Sequence, residues 1–256
     1  MTSLYTKADG SISKYVLFSG DPWRVKAVAG YMDNVEHVAF AREFNTYTGD
    51  YRGVRITATS TGIGAPSAAI AMEEMYENGM QVAVRMGTTM GLQAGSLGRF
   101  VIPVAALREE STSATYVAPS YPAVADLDLL GCMNRAVVDL GGTYCNGLTC
   151  SMDGFYSQMK ESRFAKECGR QVQATFARLK SVHVCSIDME SSCILTLARL
   201  MGISGCVITI TTVLEGLADQ LPGKDRADAE DLLCRAALEG VVNFAQLRES
   251  SLSKER

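Results

Sequence analysis

The run CVITITTV, residues 206–213, is apolar without the alternation of a strand that keeps one face wet. Such a strand is covered on both faces, and a sheet with helices on either side is the architecture that covers it. The rest of the chain supplies matching pieces. KYVLFSG (14–20), VRITATSTG (54–62), QVAVRMG (81–87) and RFVIPVAALRE (99–109) read as further strands. APSAAIAMEEMYENG (65–79) has Pro66 near its start and Gly79 as its stop, so the pattern predicts a helix. DLDLLGCMNRAVVDLGG (126–142), MESSCILTLARLMG (189–202) and RADAEDLLCRAALEGVVNFAQLRE (226–249) read as helices too. The alternation predicts an α/β fold with a mostly parallel or mixed sheet. No repeat or linker-like stretch divides residues 1–256, which read as one domain, with SSLSKER (250–256) as a solvated tail.

Composition narrows the function. Of 256 residues 47% are hydrophobic and 20% charged, which is ordinary globular usage. A net charge of −4 argues against a broad nucleic-acid or anionic-membrane surface. The longest apolar runs, VIPVAAL (101–107) and GCVITITTVL (205–214), fall short of the roughly 20 residues of a membrane helix. MTSLYTKADGS at the start has no apolar signal core. Eight cysteines lack any CxxC spacing and only His37 and His183 are present, so the thiols read as free, in a reducing cytoplasm, and a zinc site is not expected.

Four segments place Gly, Ser, Thr or Arg in a turn at a strand end, where ligands of open α/β sheets bind. SGDPWR offers Gly20 and Arg24 to an anion, or is a plain Asp-Pro turn with a surface arginine. In RMGTTMG (85–91), Arg85 ends an apolar strand and needs either an anionic ligand or a structural carboxylate. Thr88 and Thr89 add neutral donors, while Met90 does not suit an anion loop. AREF (41–44) sets Arg42 beside Glu43, by itself a solvated ion pair. In SIDMESS (186–192), Ser186 or Asp188 caps the following helix and Glu190 complements its dipole, or Glu190 accepts the vicinal hydroxyls of a sugar with Met189 against the ring. There is no GxxxxGK[ST], no GxGxxG after a strand and no GxSxG. His183, in an apolar strand, reads as a satisfied core residue.

Taken in order, SGDPWRV, AREF, STGIGAPSAAIAMEEM (60–75), RMGTTMG, YPAVAD (121–126), DGFYS (153–157) and IDMESS resemble the nucleoside phosphorylase family of the trimeric and hexameric type, above all its uridine phosphorylase branch. The resemblance implies a single-domain three-layer α/β/α sandwich around a mixed, partly barrelled sheet. It implies a phosphate pocket of Gly20, Arg24, Arg85 and Thr88, completed by Arg42 of a neighbouring subunit in a homodimer or a hexamer of dimers. Catalysis would rest on Arg24, Arg85 and Glu190. Ribose would be held by Thr88, Met189 and Glu190, and the base by Thr89, Met90, Phe155, Gln158 and Glu215. Inorganic phosphate would be the co-substrate, with no cofactor, and some members hold a monovalent cation at positions matching Glu43, Ile63 and Ser67. The implied reaction is phosphorolysis of uridine or a close pyrimidine analogue to free base and ribose 1-phosphate.

Several positions depart from the family pattern. Gln158 comes one residue early and no arginine follows it two residues on. Glu215 stands where pyrimidine enzymes carry a basic residue and bacterial purine enzymes an Asp, which leaves a purine nucleoside phosphorylase using Glu215 as acid as the alternative. A catalytically silent nucleoside-binding protein is the third reading. Thr2 lies where a histidine touches the ribose 5′ hydroxyl, and Met90 replaces a glycine beside the base.

Overall fold

The computed structural model describes residues 3–10 and 12–254, so the departure at Thr2 lies outside the described residues. Strand β1 (Tyr15–Ser19) runs directly into helix α1 (Pro22–Ala29), where the Asp21 carboxylate accepts the Trp23 N–H at 2.8 Å and Pro22 occupies the first turn. Strands β2 (Asp33–Ala41), β3 (Phe44–Tyr51) and β4 (Val54–Ser60) form an antiparallel meander. Helix α2 (Ala65–Glu77) opens on Pro66, and Gly79 at φ +97° turns the chain out of it. Then follow β5 (Val82–Gly91), β6 (Phe100–Val101), β7 (Ala105–Glu109), β8 (Ala123–Val124) and α3 (Leu127–Asp139). Two short strands, β9 (Tyr144–Cys145) and β10 (Leu148–Met152), lead to a π-helical turn at Phe155–Met159. Helices α4 (Arg163–Glu167) and α5 (Val172–Ser181) precede β11 (Val184–Asp188), α6 (Ser191–Leu200), β12 (Ser204–Leu214) and α7 (Gly223–Lys254).

One mixed sheet joins all twelve strands. Its main path runs β2-β3-β4-β1-β5-β11-β10-β7-β8, with β12 alongside β5 as a second branch that carries β6 and then β9. The sheet forks at β5 and does not close. The first half of β5 pairs with β1, Tyr15 opposite Val82 through Phe18 opposite Arg85. Its last residues pair instead with β11, Ile187 opposite Met90 and Ser186 opposite Gly91, in the antiparallel sense. Along the other edge β12 follows β5 in parallel from Val82 to Gly91. Where β1 parts from β5 and β11 joins it, the sheet leaves a crevice.

Both faces of the sheet are buried. Tyr15 and Leu17 of β1 pack with Val25 of α1, Leu129 of α3 and Leu233 and Phe244 of α7. Their neighbours Val16 and Phe18 point the other way, onto Met72 and Met75 of α2 and Ile194 and Leu197 of α6. These opposed clusters make the α/β/α layers expected from unalternating strands. A third cluster, with Met90, Cys150, Met152, Phe176 and Ile187, fills the far end of β5 beneath α5.

Four local expectations are corrected. RFVIPVAALRE is two strands, β6 and β7, because Pro103 has no N–H to give a ladder. RMGTTMG is not a turn: β5 continues to Gly91, held by β12 on one edge and β11 on the other. Helix α7 does not stop at residue 249 but extends to Lys254, with Ser250 and Ser251 exposed on it. His183 is exposed in the turn before β11, at φ +60°, rather than buried in a strand. Among the described residues no helix is long and apolar enough to cross a membrane.

Candidate active site at the fork of the sheet

The crevice is a cavity of about 690 Å³ at the ends of β1, β5, β11 and β12. Gly20, Asp21 and Arg24 enter it from the turn between β1 and α1. Arg85, Thr88, Thr89 and Met90 come from β5, and Asp188, Met189 and Glu190 from the junction of β11 and α6. The π turn adds Phe155, Tyr156 and Met159, while Thr212 and Val213 close the β12 side. Arg226, on the first turn of α7, and the exposed Ile63 complete the lining.

Arg85 is 4% exposed. Its Nε donates to Asp188 Oδ2 at 2.8 Å, and its Nη2 lies 2.6 Å from Glu190 Oε2. Both readings of this arginine therefore meet in one residue, since it has structural carboxylate partners and it lines the cavity. Burial alone would lower its pKa, but Glu190 and Asp188 outweigh that and hold it above the ordinary arginine value. Room for the guanidinium comes from Gly87, where a Cβ would stand 3.1 Å from Arg85 Cζ. Asp188 is anchored from behind by the Ser151 hydroxyl at 2.6 Å, the Ser191 hydroxyl and the Ser191 N–H at 3.3 Å. The last contact is the helix-capping role expected for Asp188, and the same carboxylate orients Arg85 as well. Glu190 takes the Gly64 N–H on Oε1 at 2.6 Å. Burial raises the pKa of Glu190, and the Arg85 charge opposes the rise.

Arg24 is also buried, at 8% exposure, which removes the surface-arginine reading. Its Nη1 donates to Ser19 Oγ at 3.2 Å and its Nη2 to Glu230 Oε2 at 3.0 Å, while its buried Nε has no partner. The other oxygen of Glu230 accepts Arg226 Nε at 2.9 Å. Burial would push the Glu230 carboxyl up, but Arg24 and then Arg226 hold it below the ordinary glutamate value.

The opposite end of the cavity is apolar. Met90 is 2% exposed and belongs to the third core cluster, against which Phe155 and Met189 pack. It is thus both core and cavity wall. The Thr89 hydroxyl donates to Ile187 O at 2.9 Å, so its polarity is satisfied by the main chain.

Two residues expected at the base, Gln158 and Glu215, lie outside this lining, as do Arg42, Glu43 and Ser67, which were expected at a subunit boundary. Gln158 accepts the Gly154 N–H on Oε1 at 2.8 Å and braces its own turn. Glu215 pairs with Lys180 Nζ at 2.7 Å. Arg42 is exposed at the tip of the β2–β3 hairpin, at φ +56°, with its guanidinium 5.3 Å from the centre of the Tyr5 ring. Nearby, Ser67 donates to Glu43 Oε1 at 3.0 Å.

Sequence reasoning missed the Arg85-orienting role of Asp188, its support by Ser151, and the Arg226–Glu230 pair. The i,i+4 spacing of that pair was visible on a helix, but such pairs ordinarily mark a solvated face. Nothing local shows that this one faces the cavity.

Thus the cavity offers buried cations at one end, a carboxylate able to accept hydroxyls in the middle and an apolar wall at the other. Known proteins share the frame. Uridine phosphorylase of Thermococcus kodakarensis is 38% identical over 203 residues, 78% of this chain and 73% of that protein. Guanosine phosphorylase of Halorubrum lacusprofundi is 33% identical over 235 residues, 91% of this chain and 90% of that protein. The crystal structure of uridine phosphorylase from Vibrio fischeri ES114 superposes with a TM-score of 0.79 at 30% identity, covering 93% of this chain and 96% of that one. The Phosphorylase superfamily model matches residues 14–243, from the strand before Gly20 to the helix that carries Arg226. Every wall of the cavity lies inside that match, and the chain belongs to the phosphorylase superfamily.

Proposed function

We propose that the chain, acting as one domain, cleaves a nucleoside by phosphorolysis, with uridine or a close pyrimidine analogue as substrate and free base and ribose 1-phosphate as products. The observation that carries this is the direct pairing of Arg85 with Glu190 in a cavity that also holds Arg24. A cation for phosphate and an acceptor for ribose hydroxyls are thereby fixed side by side, which is the arrangement an in-line attack requires. Gly20, Arg24, Arg85 and Thr88 hold the phosphate. Glu190 accepts the 2′ and 3′ hydroxyls, with Met189 and Thr88 against the sugar. The phosphate oxygen attacks C1′ as the C–N bond breaks, and the bound dianion stabilises the oxocarbenium-like sugar. No covalent intermediate on the protein is needed. The base lies against Met90 and Phe155.

Arg42 serves the site of a second copy, so the working unit is a homodimer or an assembly of dimers. A monovalent cation at Glu43, Ile63 and Ser67 fits the same edge, where the Ser67–Glu43 hydrogen bond already gathers oxygens. No organic cofactor enters the scheme. Eight free cysteines support a reducing, cytoplasmic setting. The purine reading loses its acid, because Glu215 is paired with Lys180 outside the cavity lining. Silence is disfavoured because three separate segments keep charged side chains buried in one cavity.

A nucleoside panel with and without phosphate tests the proposal by base release. Phosphate-dependent cleavage of uridine is expected. Cleavage of inosine alone would overturn the pyrimidine assignment, and no cleavage of any nucleoside would overturn the reaction.

A further inference from the structure

The two buried arginines are not equally free to attract an anion. Arg85 faces two carboxylates, Asp188 and Glu190, both within 2.8 Å. With both carboxylates ionised that group is net negative, so it does not by itself attract a dianion. Arg24 and Arg226 share a single carboxylate, one oxygen each, at 3.0 and 2.9 Å. That group is net positive. It also holds unused donors: the buried Arg24 Nε has no partner. Among the described residues, the two terminal nitrogens of Arg226 carry no hydrogen bond either. Arg226 lines the same cavity as Arg24 and Arg85.

We infer that Arg226 is a further phosphate-binding residue, tethered by Glu230 so that its terminal N–H groups and the Arg24 guanidinium close on one dianion. The inference rests on the phosphorolytic reading of the cavity. A guanidinium suits the role because its fork keeps Nε on the tether while the two remaining nitrogens face phosphate. The positive charge that the Arg85 group lacks is then supplied within the same subunit.

Calorimetric titration of the purified protein with inorganic phosphate, beside steady-state kinetics, decides the matter. Arg226→Gln is expected to weaken phosphate binding about tenfold, the loss of one charge-assisted contact, while the KM for uridine stays within about twofold. Arg226→Lys should recover part of the affinity. Arg235→Gln is the control: this half-buried arginine pairs with Asp231 further along α7, outside the cavity, and its loss should leave phosphate binding unchanged. Unchanged phosphate affinity in Arg226→Gln, or a rise in uridine KM alone, would overturn the inference while leaving the phosphorolytic reading intact. A wild-type protein that binds no phosphate would overturn both.

Discussion

Gly87 lies two residues beyond Arg85 on β5, where a Cβ would press on the guanidinium at 3.1 Å from both Cζ and Nη2. Gly87→Ala should therefore displace Arg85 from Glu190 without emptying any core. The expected result is a fall in kcat/KM of about tenfold, with unfolding free energy lowered by up to about 3 kcal/mol as the buried Arg85–Glu190 contact is lost. Asp188→Asn is the converse. It leaves a buried arginine with half its compensation and should lower stability by about 3 kcal/mol in denaturant unfolding. Glu190 gives a pH signature. Because burial raises its pKa, the folded state favours the protonated carboxyl. Its stability contribution is thus complete below the unfolded pKa and lost as pH rises through the folded one. Activity runs the other way, since only the carboxylate accepts ribose hydroxyls. The acid limb of kcat/KM should sit above the ordinary glutamate value of about 4.3, and Glu190→Gln should abolish it. At this scale the charged residues were legible because a lone arginine at an apolar strand end demands a partner. The partner's identity was not, because Asp188 lies about a hundred positions along the chain, and a carboxylate before a helix is equally well a cap.

Elements explain why the helices were easier to read than the strands. Pro66 and Gly79 bracket α2, so local chemistry marks its ends, whereas α1, which Pro22 opens, read only as a turn. Strand β5 carries Gly, Thr and Met through the stretch that looked like a turn, and only its long-range neighbours β11 and β12 hold it extended. The β2–β3 hairpin escaped for a related reason. Most side chains of β2 are exposed, so there is no apolar face to detect. Packing between elements gives its own test. Gly205 on β12 would place a Cβ 2.5 Å from the Cβ of Ala198 on α6. Gly205→Ala should cost about 1–3 kcal/mol, seen as a lower urea midpoint with an unchanged slope. A midpoint equal to wild type would mean that α6 can move off the sheet.

Over the whole molecule, the forked sheet does what a closed barrel would not. By letting β1 leave and β11 enter, it opens a crevice whose walls come from distant parts of the chain, and both faces stay buried. The layered class was legible from strands that show no wet face; the fork was not, because pairing order leaves no local trace. The site is also incomplete within one copy if Arg42 belongs to a neighbour. Phe40, two residues before Arg42, and Ile63 stand 53% and 78% exposed, apolar side chains that a second copy would cover. Subunit mixing tests the sharing. Arg42→Ala and Arg85→Ala homodimers should each be nearly inactive. Mixed and re-associated, they should recover about a quarter of wild-type activity, since half the dimers are hybrids and each hybrid rebuilds one intact site. No recovery would mean that Arg42 does not serve a partner's site, and a fully active Arg42→Ala homodimer would place Arg42 outside the chemistry.

In the proposed reaction phosphate, not water, takes the sugar. Phosphorus NMR of the protein with uridine and inorganic phosphate follows that transfer directly. A sugar-phosphate ester resonance is expected to grow in step with free uracil, one ester for each base released. Uracil released with no phosphate ester formed would make the reaction a hydrolysis and contradict the proposal.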